Sequence, residues 1–213
     1  GIKMKKLLCV LGVVTISLML VSSSFAGLKE AQDLFGAKRY QEAIAELDKT
    51  IPLLSGQQKN EATAVVNALI DAVETEGLSD EQAASIYLYC GATLFLKLKD
   101  TSKALECFQR ITALNIPEDS ETYNWIGLCY LTQKNYQEGI KAFQKGIELN
   151  TKKNSVAYCY WRLGLCYKEI GELDKAQEAF IAGCQVEGAA ASILKWSFNE
   201  VSRAKLGVEG YKN

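Results

Sequence analysis

The groups most capable of chemistry in this chain are cysteines and carboxylates, because histidine is absent. Without an imidazole no Ser-His-Asp set can be assembled, and the commonest metal ligand is missing. Six cysteines, Cys90, Cys107, Cys129, Cys159, Cys166 and Cys184, follow the N-terminal apolar run that holds Cys9. None are spaced Cys-x-x-Cys, so they do not read as a zinc set. An even count in an exported chain points to disulfides. Cys90/Cys107 and Cys159/Cys184 would be mirror pairs across a turn. The other reading makes all six small, buried core residues. Glu118, Asp119 and Glu121 invite a catalytic reading, but they precede an apolar helical stretch. There, carboxylates complement the helix dipole. No phosphate-binding glycine loop is present. The residue types therefore offer no catalytic, cofactor-binding or metal-ligating set.

The elements that position these groups are helical and repeat. In Ser155–Cys184, the residues Tyr160, Leu163, Gly164 and Tyr167 share one helical stripe. Gly171 marks a turn, and Ala176, Phe180 and Gly183 make a second stripe. The pattern recurs at Tyr123, Ile126, Gly127, Tyr130, then Gly139, Phe143, Gly146. It recurs again at Tyr87, Cys90, Gly91, Leu94, then Ala104, Phe108, Ile111, with one extra residue in the turn. A fragment stands at Ala31, Leu34, Tyr40, Ala43 and Leu47. Each unit is a helical hairpin with an apolar face that only a neighbouring unit can bury. Gly91, Gly127 and Gly164 fall mid-helix, at a cost of roughly 1 kcal/mol each relative to Ala. The expected compensation is close approach of the paired helix, opposite Ala104, Gly139 and Ala176.

The chain has 213 residues, 48% of them hydrophobic, and a formal net charge of −1. That suits a sizeable folded core and shows no basic stripe for nucleic acid. Residues 1–26 read as a signal peptide. Lys5 and Lys6 precede the apolar run Leu7–Val21, and Ser24 and Ala26 supply a small-x-small cleavage site. The run is short of the ~20 residues a spanning helix needs, and an uncleaved anchor is the alternative. Either way the rest of the chain is expected to be exported, periplasmic or secreted. Cleavage removes three lysines and lowers the formal charge from −1 to −4. Residues 27–56 read as a partial hairpin and 57–78 as an inserted helix. Residues 79–117, 118–151 and 152–188 read as three repeats, and 189–213 as a capping helix and tail. Pro52 is expected to weaken the last turn of a helix over Tyr40–Leu54. The last helix is expected to face inward through Ile193, Trp196 or Ser197, Val201 and Ala204.

The pattern resembles the tetratricopeptide repeat, whose signature runs aromatic, Leu-Gly, Tyr, Ala, Phe. The fourth unit matches through Tyr160, Leu163, Gly164, Tyr167, Ala176 and Phe180. The third keeps Tyr123, Gly127, Tyr130 and Phe143, and the second keeps Tyr87, Gly91, Ala104 and Phe108. The resemblance implies an all-α fold, a right-handed superhelical solenoid of antiparallel hairpins with a C-terminal capping helix.

Each first helix carries a second stripe: Ser85, Leu88, Ala92, Phe95; then Glu121, Asn124, Leu128, Leu131; then Tyr158, Trp161, Leu165, Lys168. The resemblance implies that this stripe lines the concave side. Phe95, Asn124, Leu128, Trp161 and Lys168 are the candidate partner-binding residues, although core packing competes for the same apolar positions. Some members of the family clamp an acidic C-terminus with Lys, Arg and Asn. Leu88, Ala92 and Trp161 stand at the matching places here, so no such clamp is expected. The reading is a non-enzymatic scaffold holding a protein or peptide segment in a largely apolar groove, with no cofactor, metal or nucleic acid. Its rival is a repeat protein that binds or processes a lipid, glycan or peptide there. Homo-oligomerisation through the first hairpin or last helix is a third reading.

Overall fold

The computed structural model describes residues 26–54 and 56–210, without the side chains of 57 and 204–210. The expected signal peptide falls almost wholly outside the described residues. All regular structure among the described residues is helical, and none of these helices is long and apolar enough to cross a membrane. The chain divides into two compact units.

The first unit runs to Ser79 and includes Leu96–Lys99. Its helices are α1 (26–36), α2 (Tyr40–Thr50) and α3 (Gln57–Thr75). Ala43 and Leu47 of α2 are buried, as are Leu28 and Ala31 of α1. Pro52 acts earlier than expected, since α2 stops at Thr50 and a short 3-10 turn covers Ile51–Leu53. Lys97 Nζ donates to Asp48 Oδ1 at 2.5 Å.

The second unit comprises Asp80–Phe95 and the chain from Asp100 onward. It holds α4 (Asp80–Thr93), α5 (Thr101–Thr112), α6 (Ser120–Thr132), α7 (Tyr136–Leu149), α8 (Lys153–Glu169), α9 (Leu173–Cys184) and α10 (Ala191–Gly210). The pairs α4/α5, α6/α7 and α8/α9 are hairpins, and each packs on the next. The paired acids serve as helix starts: Asp119 caps α6, accepting from Thr122 N at 2.8 Å.

The hairpins are locked by one contact, used three times. A Cβ added to Gly91, Gly127 or Gly164 would lie 2.5–2.7 Å from the ring of Phe108, Phe143 or Phe180 respectively. The expected partners Ala104, Gly139 and Ala176 are thus not the main reason for these glycines. The phenyl ring of the second helix occupies the place a Cβ would take on the first helix. Phe108 and Phe143 are fully buried and Phe180 nearly so. Burying each ring stabilises by roughly 1.5–3 kcal/mol, which outweighs the ~1 kcal/mol helix cost of glycine.

The hairpin tips share a second rule. One residue in each adopts the left-handed region: Lys99, Lys134 and Gly171 between the paired helices of the three repeats, and Lys38 between α1 and α2. The backbone then closes back on the first helix, with Asn135 N donating to Tyr130 O and Glu172 N to Tyr167 O, both at 2.9 Å. In the second repeat Asp100 N reaches Leu94 O, one residue further. The extra residue seen in that turn is absorbed by a π-helical segment, Leu94–Leu98. The open ends are tied too. Side chains at first-helix starts accept from loop amides, Asp80 from Asn115 N (3.0 Å), Ser120 from Thr151 N (2.9 Å) and Asn154 from Ala190 N (2.8 Å).

Successive hairpins mesh through small residues. Cys166 Sγ lies 3.2 Å from a Cβ position on Gly139, and Cys159 Sγ 2.8 Å from one on Gly146. Tyr130 and Tyr167 use their hydroxyls between repeats, accepting from the amides of Gln109 and Gln144 at 3.1 and 3.2 Å. All six described cysteines are free thiols, and all but Cys184 are buried.

Gly127→Ala is expected to destabilise the fold by about 1–3 kcal/mol, because the overpacked methyl against Phe143 exceeds the helix-propensity gain. Thermal or urea unfolding measures it, and a neutral or stabilising result would contradict the ring-on-backbone contact. Burial pushes the thiols of Cys107, Cys129, Cys159 and Cys166 up to about 12. At pH 8 they are therefore almost wholly protonated and inert. A thiol reagent should label these four only after denaturation, and fast labelling of the native chain would refute their burial.

Candidate functional site

The candidate face is built from the first helices of the second unit, and the glycine contact turns it. With Gly127 and Gly164 against their own second helices, residues two or three positions earlier project elsewhere along α6 and α8. Helix α6 also adjoins α8, and α8 adjoins α10, so their stripes follow one another along one surface.

At one end, Phe95 meets Trp125 edge-on at 6.1 Å, and Trp125 stacks on Phe108 at 5.4 Å and 13°. Phe95, Trp125 and Leu128 are half-buried. Asn124 is buried at 6% exposure, and its Oδ1 accepts from Arg162 Nη1 at 2.5 Å. At the other end, Trp161 sits 6.4 Å from Tyr158 and 5.0 Å from Trp196 of α10. Lys168 is exposed and pairs with Glu200 of α10 at 3.3 Å, while Arg203 holds the other oxygen of Glu200 at 2.7 Å.

Two of the five candidate residues, Trp161 and Lys168, are therefore engaged by the last helix. Of the two alternatives expected inward on that helix, Ser197 is the buried one and Trp196 is half exposed; Glu200, not in the expected set, is buried as well. The reason is Gly183. It leaves a notch into which Ser197 drops, its Oγ only 2.4 Å from where a Cβ would stand. Ser197 against Gly183 repeats Cys159 against Gly146, so α10 sits on α9 as α8 sits on α7. It continues the surface with Trp196 as well as covering the end.

Arg162 was not among the candidates. Its guanidinium lies 4.8 Å from the Tyr158 ring and 5.8 Å from the Trp161 ring. Its Nε and the indole Nε1 of Trp161 are buried without a hydrogen-bond partner. No carboxylate among the described residues pairs with it. Burial pulls its pKa down, against the opposite pull of Cys159 and Tyr158. A signal existed in the sequence: the matching positions one and two repeats earlier are Trp125 and Tyr89, so a cation replaces an aromatic there. This surface can stack apolar or planar groups and donate hydrogen bonds at one point. Among the described residues no metal-holding cluster occurs.

Residues 118–183 match the family model described as tetratricopeptide repeat. One curated relative, the general transcriptional corepressor trfA of Dictyostelium discoideum, is 33% identical over 92 residues, 43% of this chain. The match spans only 6% of that relative's length. Similar folds occur among solved structures. MamA has a TM-score of 0.51 and 21% identity over 73% of this chain and 91% of its own. The co-chaperone Cns1 of Saccharomyces cerevisiae scores 0.53 at 22% identity, over 65% of this chain and 44% of its own. The second repeat domain of human RPAP3, solved with an HSP70 peptide, scores 0.50 at 21% identity, over 60% and 98%. The described helices thus have the fold of a tetratricopeptide-type solenoid.

Asn124 and Arg162 are expected to be coupled. A double-mutant cycle with Asn124→Ala and Arg162→Ala should return an interaction of about 1.5–3 kcal/mol, the range for a hydrogen bond to a charged group. Additive losses would mean that the two side chains do not hold each other.

Proposed function

We propose that this chain is an exported, non-enzymatic interaction scaffold whose stripe of first-helix residues holds a segment of a protein partner. The observation that carries the reading is the surface of Phe95, Trp125, Trp161 and Trp196 with one guanidinium that no carboxylate answers. Aromatic and Arg side chains are the usual anchors of interaction surfaces. Phe95 and Leu128 offer apolar contact, Trp161 a stacking face and Lys168 a polar contact at the edge, while the buried Asn124 holds Arg162. Arg162 favours an acceptor on the partner, a carbonyl or carboxylate.

The solved RPAP3 domain holds a peptide, so the fold accommodates this use. Export rests on the leader pattern of residues 1–26. The pathway served is left to the partner's identity.

Trp161→Ala is expected to abolish or sharply reduce capture of the partner from a native envelope extract, read by mass spectrometry. Leu173→Ala, on an exposed position of α9, should leave capture intact. Unchanged recovery with a folded Trp161 variant would remove this face from the binding site. The exported chain should begin at Gly27; a chain retained inside the cell with its leader intact would overturn the export reading.

A further inference from the structure

The third and fourth repeats end differently, and the difference opens a cavity away from the candidate face. In the third repeat, Glu118 accepts from the Tyr123 hydroxyl of α6 and pairs with Lys145 Nζ of α7 at 3.2 Å. One carboxylate thus bridges both helices at the hairpin's open end. Ile116 and Pro117 lie beside it, and the space left there is about 10 Å³.

Thirty-seven residues on, Tyr160 repeats Tyr123, but Ser155 replaces Glu118 and Ala182 replaces Lys145. Lys153 and Asn154 replace Ile116 and Pro117. Ser155 is buried and short. Among the described residues no group bonds the Tyr160 hydroxyl. An open cavity of about 650 Å³ results, lined by Ile147, Val156, Ala182 and Val186 with Tyr160 and Lys153. Its volume lies within the range of ligand pockets. Lys153 Nζ donates to Asn150 Oδ1 at 2.8 Å, and no carboxylate among the described residues pairs with it. Glu187 also lines the space, and its negative charge disfavours a second acid on the ligand.

We propose that this cavity is a second binding site. It takes a short partner segment in which an apolar residue and one carboxylate lie within two positions of each other, as Ile116 and Glu118 do. The carboxylate accepts from the Tyr160 hydroxyl and is drawn by Lys153. The apolar side chain enters the aliphatic slot. The segment restores in trans what the third repeat supplies from its own loop.

The test uses a capped peptide with the sequence of residues 114–118, titrated into the full isotope-labelled chain and followed by NMR. The expected result is saturable shifts centred on the amides of Val156, Tyr160 and Ala182. Binding should weaken at least tenfold in Tyr160→Phe and for the peptide carrying Glu118→Gln. Ala182→Leu and Val186→Phe, both at residues that line the cavity, fill it with apolar atoms. Each should block binding, with a thermal midpoint confirming that at least one remains folded. No saturable shift, shifts centred on Trp161, or undiminished affinity in a folded blocking variant would overturn the proposal. So would dodecanoate binding more tightly than the peptide at the same amides, which would make this a lipid-acid site.

Discussion

The contact between a phenylalanine ring and a bare helix backbone sets the geometry of the second unit. Gly91, Gly127 and Gly164 lack the one atom that would keep Phe108, Phe143 and Phe180 away. Removing the Cβ costs helix propensity; burying the ring offsets it. The contact also fixes rotation, since a helix with its glycine turned to its partner has no choice about where its other stripes point. The same constraint that closes each hairpin therefore aims Asn124, Leu128 and Trp161 along a common surface.

Small residues then govern how hairpins stack. Gly139 and Gly146 accept Cys166 and Cys159, and Gly183 accepts Ser197. Sulfur is a good filler for such notches, being polarizable and compact. This accounts for two of the cysteines, Cys159 and Cys166, as packing groups. It also explains the last helix, whose serine fits where an earlier repeat has a thiol, so α10 docks as one more first helix. Its docking brings Trp196 to Trp161 and Glu200 to Lys168.

Charge is distributed unevenly on this framework. Most cations have nearby acids, such as Lys168 and Arg203 with Glu200 or Lys145 with Glu118. Exposed pairs such as Lys145 with Glu118 contribute little to stability. Arg162 is different, half-buried among aromatic rings with a neutral amide as its partner. A buried polar group without full pairing is costly, which singles it out from the solvated charges around it.

Periodicity made the hairpins legible in advance, because a repeat that buries its neighbour must reuse the same residue types at the same spacing. The helical class, the turn at Gly171 and the extra residue of the second repeat could all be read from one dimension. What faces a given glycine could not. Its neighbour lies 16 or 17 residues away on another helix, and spacing alone did not separate Phe143 from Gly139. Pairings across elements were invisible for the same reason. Asn124 with Arg162, Trp161 with Trp196 and Lys168 with Glu200 each join residues 32–38 positions apart. The sequence by itself determined which stripes each helix carries, since those follow from 3.6 residues per turn. Only the tertiary structure decided which stripe stays open and which is covered, because that depends on where the next helix's small residues let it settle.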